Sequence, residues 1–161
     1  MVGVVGNLML WASGHDIGEG NREFIRKSLG EAFDETWQDS KKLVSEYQSL
    51  LFLPSDLAIE DGGTRKNIGL DDLPTNFPIY DIGIDTMMRL RPLLMEANCL
   101  LWNGPASYFE KSEFAYGTVE IMNMFTEATG VTIVGGGHTS ALFNQRGKAD
   151  QVSHNLSLIH I

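Results

Sequence analysis

The sequence predicts an α/β fold, in which a doubly wound parallel sheet carries helices on both faces in a Rossmann-like three-layer arrangement. Short apolar runs alternate with amphipathic helical stretches along the 161 residues, an order typical of parallel strands joined by helical crossovers. Two of the apolar runs lead directly into glycine-containing turns, at 103–105 and at 135–137. Because ligands of such sheets bind beyond the carboxyl ends of the strands, we expect the two turns to share one rim.

The first half of the chain is predicted to be mainly helical. A short helix is expected over 8–12, and apolar residues recur at helical spacing over 23–47, with Gly30 as the candidate break. The aromatic residues of this stretch are interpreted as core. Residues 50–53 form an apolar run before a proline and predict a short buried strand. Residues 58–76 are polar and rich in Gly and Asp, which predicts a surface excursion.

The second half alternates helices with apolar strands. The predicted elements are, in order, a helix over 85–96, a strand over 99–102, a helix over 112–129, a strand over 131–134 and a helix over 141–147. Asp85 is the expected cap of the first of these helices, and Pro92 must kink or divide it. Cys99 lies in an apolar run and is expected to be a buried, unreactive thiol.

Composition narrows the class of protein. A formal charge of −9 argues against a general binder of polyanions such as nucleic acid. A single cysteine excludes an internal disulfide framework and fits a reducing cytosol. The sequence shows no long apolar stretch and no basic region before its apolar first residues, so neither a membrane span nor a signal peptide is expected. These observations favour a cytoplasmic globular domain without nucleic-acid or membrane partners.

The stretch from Val131 to Ser140 carries the clearest local chemistry. A β-branched strand runs into Gly135, Gly136 and Gly137, and Thr139 and Ser140 are expected to open the following helix. The first amides of a helix have no partner within it, and the helix dipole favours negative charge there, so the pattern favours a phosphate. The alternative is a tight strand-to-helix turn that binds nothing.

The common nucleotide and hydrolase signatures are absent from the sequence. No lysine precedes Thr139 or Ser140, as a Walker A loop requires, and no G-x-G-x-x-G follows a predicted strand. There is no G-x-S-x-G nucleophile elbow. The histidines lack the spacing of metal ligands. If the turn at 135–137 binds a phosphate, it is therefore a turn of another kind.

An ordered set of motifs resembles the nucleotide-binding domain of phosphoglycerate kinase over residues 2–154. The anchor is Trp102-Asn-Gly-Pro105 followed by Phe109-Glu110, Phe114 and Gly117-Thr118, and then Val134-Gly-Gly-Gly137 with His138-Thr139. Further matches are Gly3-Val-Val5 with Asn7, Asp16-Ile-Gly18, Leu53-Pro54 with Asp56, Asp81-Ile-Gly83 with Thr86, and Val152-Ser-His154. Each motif is weak alone, but the order is specific.

The resemblance implies a cytosolic two-domain kinase of glycolysis and gluconeogenesis. It transfers a phosphoryl group reversibly between 1,3-bisphosphoglycerate and ADP, giving 3-phosphoglycerate and Mg-ATP. Residues 1–154 would form part of its C-terminal, nucleotide-binding domain, and the N-terminal domain that binds 3-phosphoglycerate would be missing. Residues 156–161 match the translation of a sequencing-library adapter, so 155–161 are expected to be a non-native tail. Such a fragment is expected to be inactive and to fold poorly alone.

The resemblance also implies roles for individual residues. Glu110 would accept hydrogen bonds from the ribose hydroxyls, and no catalytic side chain is expected in this fragment. The remaining nucleotide contacts would come from an adenine slot at Gly3, Leu53 and Pro54, a cleft lined by Asn103, Gly104 and Pro105, and a phosphate site at Gly135, Gly136, Gly137, His138 and Thr139. The amides of Gly136 and Gly137 would stabilise the transferring phosphoryl group.

One position departs from the common family pattern. Most members carry an acidic residue where this chain has His138, and a histidine there is similar to the archaeal-type branch. An imidazole is a poor ligand for Mg²⁺, so the metal would be held mainly by the nucleotide phosphates, with His138 donating a ring N–H to a phosphate. No metal-binding residue is therefore expected.

Four alternatives remain open from the residues alone. Glu110 also fits as a charge ahead of the next helix, and Asn103 also fits as a turn-forming residue before Gly104. The whole chain also fits a non-catalytic nucleotide- or phosphate-binding α/β module. A further α/β enzyme that recognises phosphate through its Gly-rich turn, such as a sugar-phosphate protein, would show no adenine preference.

Overall fold

The fold is described from a computed structural model for residues 1–156. The helices are α1 Gly3–Ala12, α2 Glu19–Leu29, α3 Phe33–Tyr47, α4 Ile84–Glu96, α5 Tyr116–Glu127 and α6 Gly137–Gln145. The strands are β1 Asp56–Asp61, β2 Thr64–Gly69, β3 Ile79–Ile82, β4 Cys99–Asn103, β5 Val131–Gly135 and β6 His154–Leu156. In the described part of the chain no helix is long and apolar enough to cross a membrane.

The parallel sheet has the order β4-β5-β6. Its buried face packs on α5 and α6, where the Trp102 ring lies 5.4 Å from Phe125 and 5.7 Å from Phe143, measured between centroids. The opposite face carries Leu101, which is 72% exposed. The predicted α/β class and parallel sheet are confirmed. Cys99 also lies on this face and is exposed, so its prediction as a buried thiol was wrong.

A second, antiparallel sheet was not predicted. Its order is β2-β1-β3, and it occupies most of the region expected to be a surface excursion. Leu57 and Ile59 of β1 are buried, whereas β2 is mostly polar and half of its residues are exposed. The strand predicted over 50–53 is absent, and Leu50 is 79% exposed at the end of a 3-10 turn. The polar strand β2 was missed because a half-exposed strand has too little apolar content to be recognised. The strand over 50–53 was wrong because an apolar run does not form a strand without a neighbouring strand to pair with.

The helical first half follows the predicted pattern closely. Gly30 interrupts the long helical stretch with a positive φ of 54°, and α3 resumes after one 3-10 turn. Trp11, Phe33 and Trp37 stack against one another, with the two indole rings 4.2 Å apart between centroids. This cluster closes the core between α1, α2, α3 and the antiparallel sheet.

The start of α4 is capped from a distant strand. The helix begins after Gly83, and the buried Asp56 carboxylate of β1 accepts hydrogen bonds from the amides of Asp85 at 3.0 Å and Thr86 at 2.7 Å. A Cβ on Gly83 would lie 2.0 Å from Asp56 Oδ2. Asp85 lies inside the helix, so its prediction as the cap was wrong. The motif over 81–86 therefore allows the Asp56 carboxylate to lie directly against the start of α4. The helix itself continues through Pro92.

The end of the described chain completes the parallel sheet. β6 pairs with β5, with Asn155 opposite Val134 and Leu156 opposite Gly135. Residues 157–161 lie outside the described residues, and the expectation of a non-native tail over 155–161 stays a prediction.

Candidate functional site

A cavity of about 670 Å³ lies between the two halves of the fold. It is bounded by α1, α2, the approach to β3, the turn after β4 and the first turn of α6. Four of the residues predicted to bind a nucleotide line it: Gly3, Pro105, Glu110 and His138. The side chains of Glu110 and His138 are exposed and are thus accessible to a ligand.

Gly3 and Pro105 are brought together by close backbone contact. Gly3 has a φ of 65°, and a Cβ there would lie 2.8 Å from the Pro105 carbonyl oxygen. Glycine is required because other residues would meet both strain and this clash. The start of α1 therefore lies directly against the turn that follows β4.

The two glycine-containing turns share one rim, as expected. Asn103 and Gly135 are paired at the ends of β4 and β5. The Gly104 amide donates to Thr139 Oγ1 at 3.0 Å. A Cβ on Gly136 would lie 2.4 Å from Asn103 Oδ1. The structure thus brings these residues together, although none of the five is among those lining the cavity.

Helix α6 begins at Gly137, two residues before the predicted Thr139. Its N-cap is Gly136, with a φ of 85° and no side-chain cap, and the Ser140 amide is the first to bond to the Gly136 carbonyl, at 2.9 Å. The amides of Gly137, His138 and Thr139 therefore have no acceptor within the helix. The Thr139 side chain is buried, and its hydroxyl oxygen already accepts a hydrogen bond from the Gly104 amide. The group of Thr139 that could bind a ligand is therefore its backbone amide.

Leu53 and Pro54 do not line the cavity. Leu53 packs against the core cluster of the first half, and Pro54 is buried beside Gly6 of α1. Their expected place in an adenine slot has no support from this geometry. Only Gly3 of that predicted slot lies at the cavity.

Several cavity residues were not predicted from the sequence. Asn21 of α2 donates to the carbonyls of Ile17 at 2.8 Å and Phe77 at 3.1 Å, and accepts from the Ile79 amide at 3.0 Å. Phe24 lines the cavity and is 59% exposed, so its assignment to the core was wrong. The apolar run from Phe77 to Tyr80 leads into β3 and lines the wall of the cavity. This run is the sequence signal from which the cavity wall could have been predicted.

The segment that carries Glu110 is tied to the antiparallel sheet. The Tyr108 amide donates to the Tyr80 carbonyl at 2.7 Å, and their rings lie 5.1 Å apart between centroids. Lys111 Nζ lies 2.6 Å from Glu60 Oε1 of β1. This hydrogen bond to the Glu60 carboxylate raises the pKa of the Lys111 ammonium, so the lysine is charged at neutral pH.

A second charged contact lies behind the cavity wall. Arg65 Nη1 donates to the fully buried Asp81 carboxylate at 2.6 Å, and that carboxylate also accepts from the Gly117 amide at 3.0 Å. Burial raises the pKa of the Asp81 carboxyl, an effect that these donors oppose. A Cβ on Gly117 would lie 2.2 Å from Asp81 Oδ1, which explains glycine at the start of α5.

Comparison with known proteins places this geometry in one family. The family model described as phosphoglycerate kinase matches residues 1–157. The curated phosphoglycerate kinase of Methanopyrus kandleri is 35% identical over 153 residues, covering 94% of this chain and 37% of that protein. That of Archaeoglobus fulgidus is 35% identical over 154 residues, covering 96% of this chain and 37% of that protein. These archaeal relatives agree with the branch expected from His138.

Solved structures give the same result. Phosphoglycerate kinase from Pyrococcus horikoshii OT3 superposes with a TM-score of 0.83 at 30% identity, over 95% of this chain and 38% of that one. The Coxiella burnetii enzyme gives 0.76 at 28% identity, over 95% and 39%. The chain thus spans little more than a third of its relatives' length. Sequence and fold together show that it belongs to the phosphoglycerate kinase family.

Proposed function

We propose that this chain supplies the ATP/ADP site of a phosphoglycerate kinase, which transfers a phosphoryl group reversibly between 1,3-bisphosphoglycerate and ADP. The proposal is carried by the family match over residues 1–157 together with a cavity that Glu110 and His138 line. The 3-phosphoglycerate site would lie in the part of the relatives that this chain does not span. Such a kinase acts in glycolysis and gluconeogenesis and would be cytoplasmic.

The base and ribose would occupy the cavity. Its volume of about 670 Å³ lies within the range of small-molecule sites. Phe24, Tyr80 and Tyr108 offer aromatic surface along its walls, which suits a purine. The exposed Glu110 carboxylate has only acceptor atoms when ionised, so it would receive hydrogen bonds from the ribose hydroxyls.

The phosphates would lie against the start of α6. The amides of Gly137, His138 and Thr139 have no acceptor within the helix, and the helix dipole favours an anion there. Asn103 would stay at the edge of this site, beside Gly136. The His138 ring would donate an N–H to a phosphate, so His138→Ala should weaken ADP binding. Unchanged affinity in that variant would remove the role.

Catalysis by this half would consist of positioning and charge stabilisation. Phosphoryl transfer needs little covalent chemistry from the protein, and fixed amides need no reorganisation when charge develops. Donors at Gly136 and Gly137 would stabilise the transferring group. Within residues 1–156 no cluster of three or more His, Cys, Asp or Glu side chains could hold a metal ion. Mg²⁺ would enter with the nucleotide, held mainly by phosphate oxygens and water.

Calorimetry with ADP tests the site on the 161-residue chain. Glu110→Gln should weaken ADP binding by about tenfold, because a charged acceptor is lost, while pyrophosphate binding stays unchanged. Glu113→Gln is the matched control, since Glu113 is an exposed carboxylate nearby that does not line the cavity. A folded parent chain that ignored ADP would refute the proposal. An equal loss of ADP and pyrophosphate affinity would refute the ribose role.

Turnover distinguishes half an enzyme from a complete one. With ATP and 3-phosphoglycerate, we expect the folded fraction of the purified chain to bind nucleotide without producing ADP, because the second substrate has no site on it. Formation of ADP that depends on 3-phosphoglycerate would show that the chain is catalytic alone. ADP binding by the chain without turnover also fits the alternative of a non-catalytic binding module. Restored turnover after the chain is joined to a relative's N-terminal portion would then decide for the kinase.

A further inference from the structure

We propose that the ion pair between Glu60 and Lys111 positions the segment that carries Glu110, and thereby sets the affinity of the cavity for ADP. The inference rests on the proposed function, in which Glu110 receives the ribose. Glu60 belongs to β1 of the antiparallel sheet, 51 residues before Lys111 in the chain. Neither residue belongs to the motifs that identify the family.

Glu110 depends on its backbone for its position. Among residues 1–156 no salt bridge includes its carboxylate, and the side chain is exposed. The carboxylate can therefore lie ready for a ribose only if the neighbouring main chain is held in place. A binding group held in place before the ligand arrives loses less entropy on binding.

Lys111 is the point at which the segment is held. Its Nζ lies 2.6 Å from Glu60 Oε1 and 5.0 Å from the centroid of the Tyr80 ring. Its amide donates to the Tyr108 carbonyl at 3.1 Å, and its carbonyl accepts from the Phe114 amide at 2.9 Å. One side chain thus joins the sheet to two successive turns, one on either side of it.

The far end of the segment has its own anchor. Arg65 donates to the Glu113 carbonyl at 3.2 Å and to the Ile82 carbonyl at 2.9 Å, and it pairs with the buried Asp81. Glu110 lies between this anchor and the contact of Tyr108 with β3. Loss of the Lys111 contact would therefore loosen the middle of the segment without unfolding its ends.

The pair is partly accessible, so its effect should be moderate. The side chains of Lys111 and Glu60 are 37% and 22% exposed. Partly exposed ion pairs contribute modestly to stability. If the loss of this pair is felt in full at the cavity, the affinity for ADP changes by about two- to fivefold. A change in affinity of this size is measurable by calorimetry. The accompanying loss of stability is too small to unfold the chain.

A double-mutant cycle tests the proposal on the 161-residue chain. The variants are Glu60→Gln, Lys111→Met and the two combined. Glu127→Gln is the matched control, because it breaks the exposed pair between Glu127 and Arg91, whose atoms lie 2.5 Å apart and away from the cavity. The measurements are the Kd for ADP by calorimetry, amide hydrogen exchange of the segment without ligand, and circular dichroism to confirm folding.

Each single change should raise the Kd for ADP about two- to fivefold, and the double variant should bind no more weakly than the weaker single variant. The amides of Lys111 and Phe114 should exchange faster in all three variants and not in the control. Unchanged affinity in Glu60→Gln, or fully additive losses, would overturn the proposal. Weakening by Lys111→Met alone would also overturn it, because Lys111 would then contact the ligand directly.

Failure of the proposed function gives a different result. If the folded parent chain binds no ADP, the cavity is not a nucleotide site and the affinity part of the inference fails with it. The exchange experiment still decides the positioning part. Unchanged protection in Glu60→Gln would overturn positioning, and faster exchange confined to the segment would support it.

Discussion

Gly136 is the residue whose replacement tests the geometry of the phosphate-side turn most directly. It caps α6 with φ 85° and ψ 136°, a conformation that is essentially limited to glycine. Forcing alanine into such a conformation costs about 1–3 kcal/mol. The new Cβ would also lie 2.4 Å from Asn103 Oδ1, but this carboxamide is exposed and can rotate away. We therefore expect Gly136→Ala to lower the free energy of unfolding by about 1–3 kcal/mol, mainly from the backbone.

The neighbouring Gly137 provides a matched control. It is the first residue of α6, has no positive φ, and would place its Cβ with no atom within 4 Å. Gly137→Ala should therefore be neutral or stabilising by up to about 1 kcal/mol, because alanine favours a helix. Urea unfolding followed by circular dichroism measures both variants. Adding Asn103→Ala to Gly136→Ala removes the steric contact and leaves the backbone cost.

Two results would refute this reasoning. If Gly136→Ala were as stable as the parent chain, the backbone at the start of α6 would not require glycine. If Gly137→Ala lost as much stability as Gly136→Ala, the loss would reflect a general intolerance of side chains at this turn. Recovery of full stability on adding Asn103→Ala would show that the steric contact dominates.

Two further predictions concern stability and its dependence on pH. Gly18→Ala should destabilise the chain more than Gly136→Ala. At Gly18 φ is 86°, and the new Cβ would lie 1.9 Å from the Thr75 carbonyl oxygen, a backbone atom that cannot rotate away. Equal losses of stability for the two variants in urea unfolding would contradict this prediction. Burial raises the pKa of the Asp81 carboxyl above its ordinary 3.8, so the folded chain holds this proton more tightly than the unfolded chain. The free energy of unfolding should therefore fall as the pH rises from that value through the raised pKa, and Asp81→Asn should lack this component; an unchanged pH profile in the variant would contradict it.

Part of the site could be predicted because its signals are local. The run from Val131 into Gly135 and the two following glycines marks a strand, a turn and a helix start within a few residues. Since the carboxyl ends of parallel strands meet at one edge, this also placed the turn after Trp102 beside it. The residue roles implied by the family resemblance had no such geometric basis. Gly3, Glu110 and His138 nevertheless line the cavity, whereas Leu53 and Pro54 do not.

The amino-acid sequence by itself determined the α/β class, the break at Gly30 and the Gly-rich rim, because these depend on short-range periodicity and on backbone conformations that only glycine adopts readily. The family was inferred from the sequence in a different way, through the resemblance of an ordered set of short motifs. Tertiary structure decided the antiparallel sheet, the cap of α4 by Asp56, and the walls of the cavity. Glu60 and Lys111 show the physical reason most clearly. Polar side chains distant in the chain look like ordinary surface residues until folding places their charges within hydrogen-bonding distance.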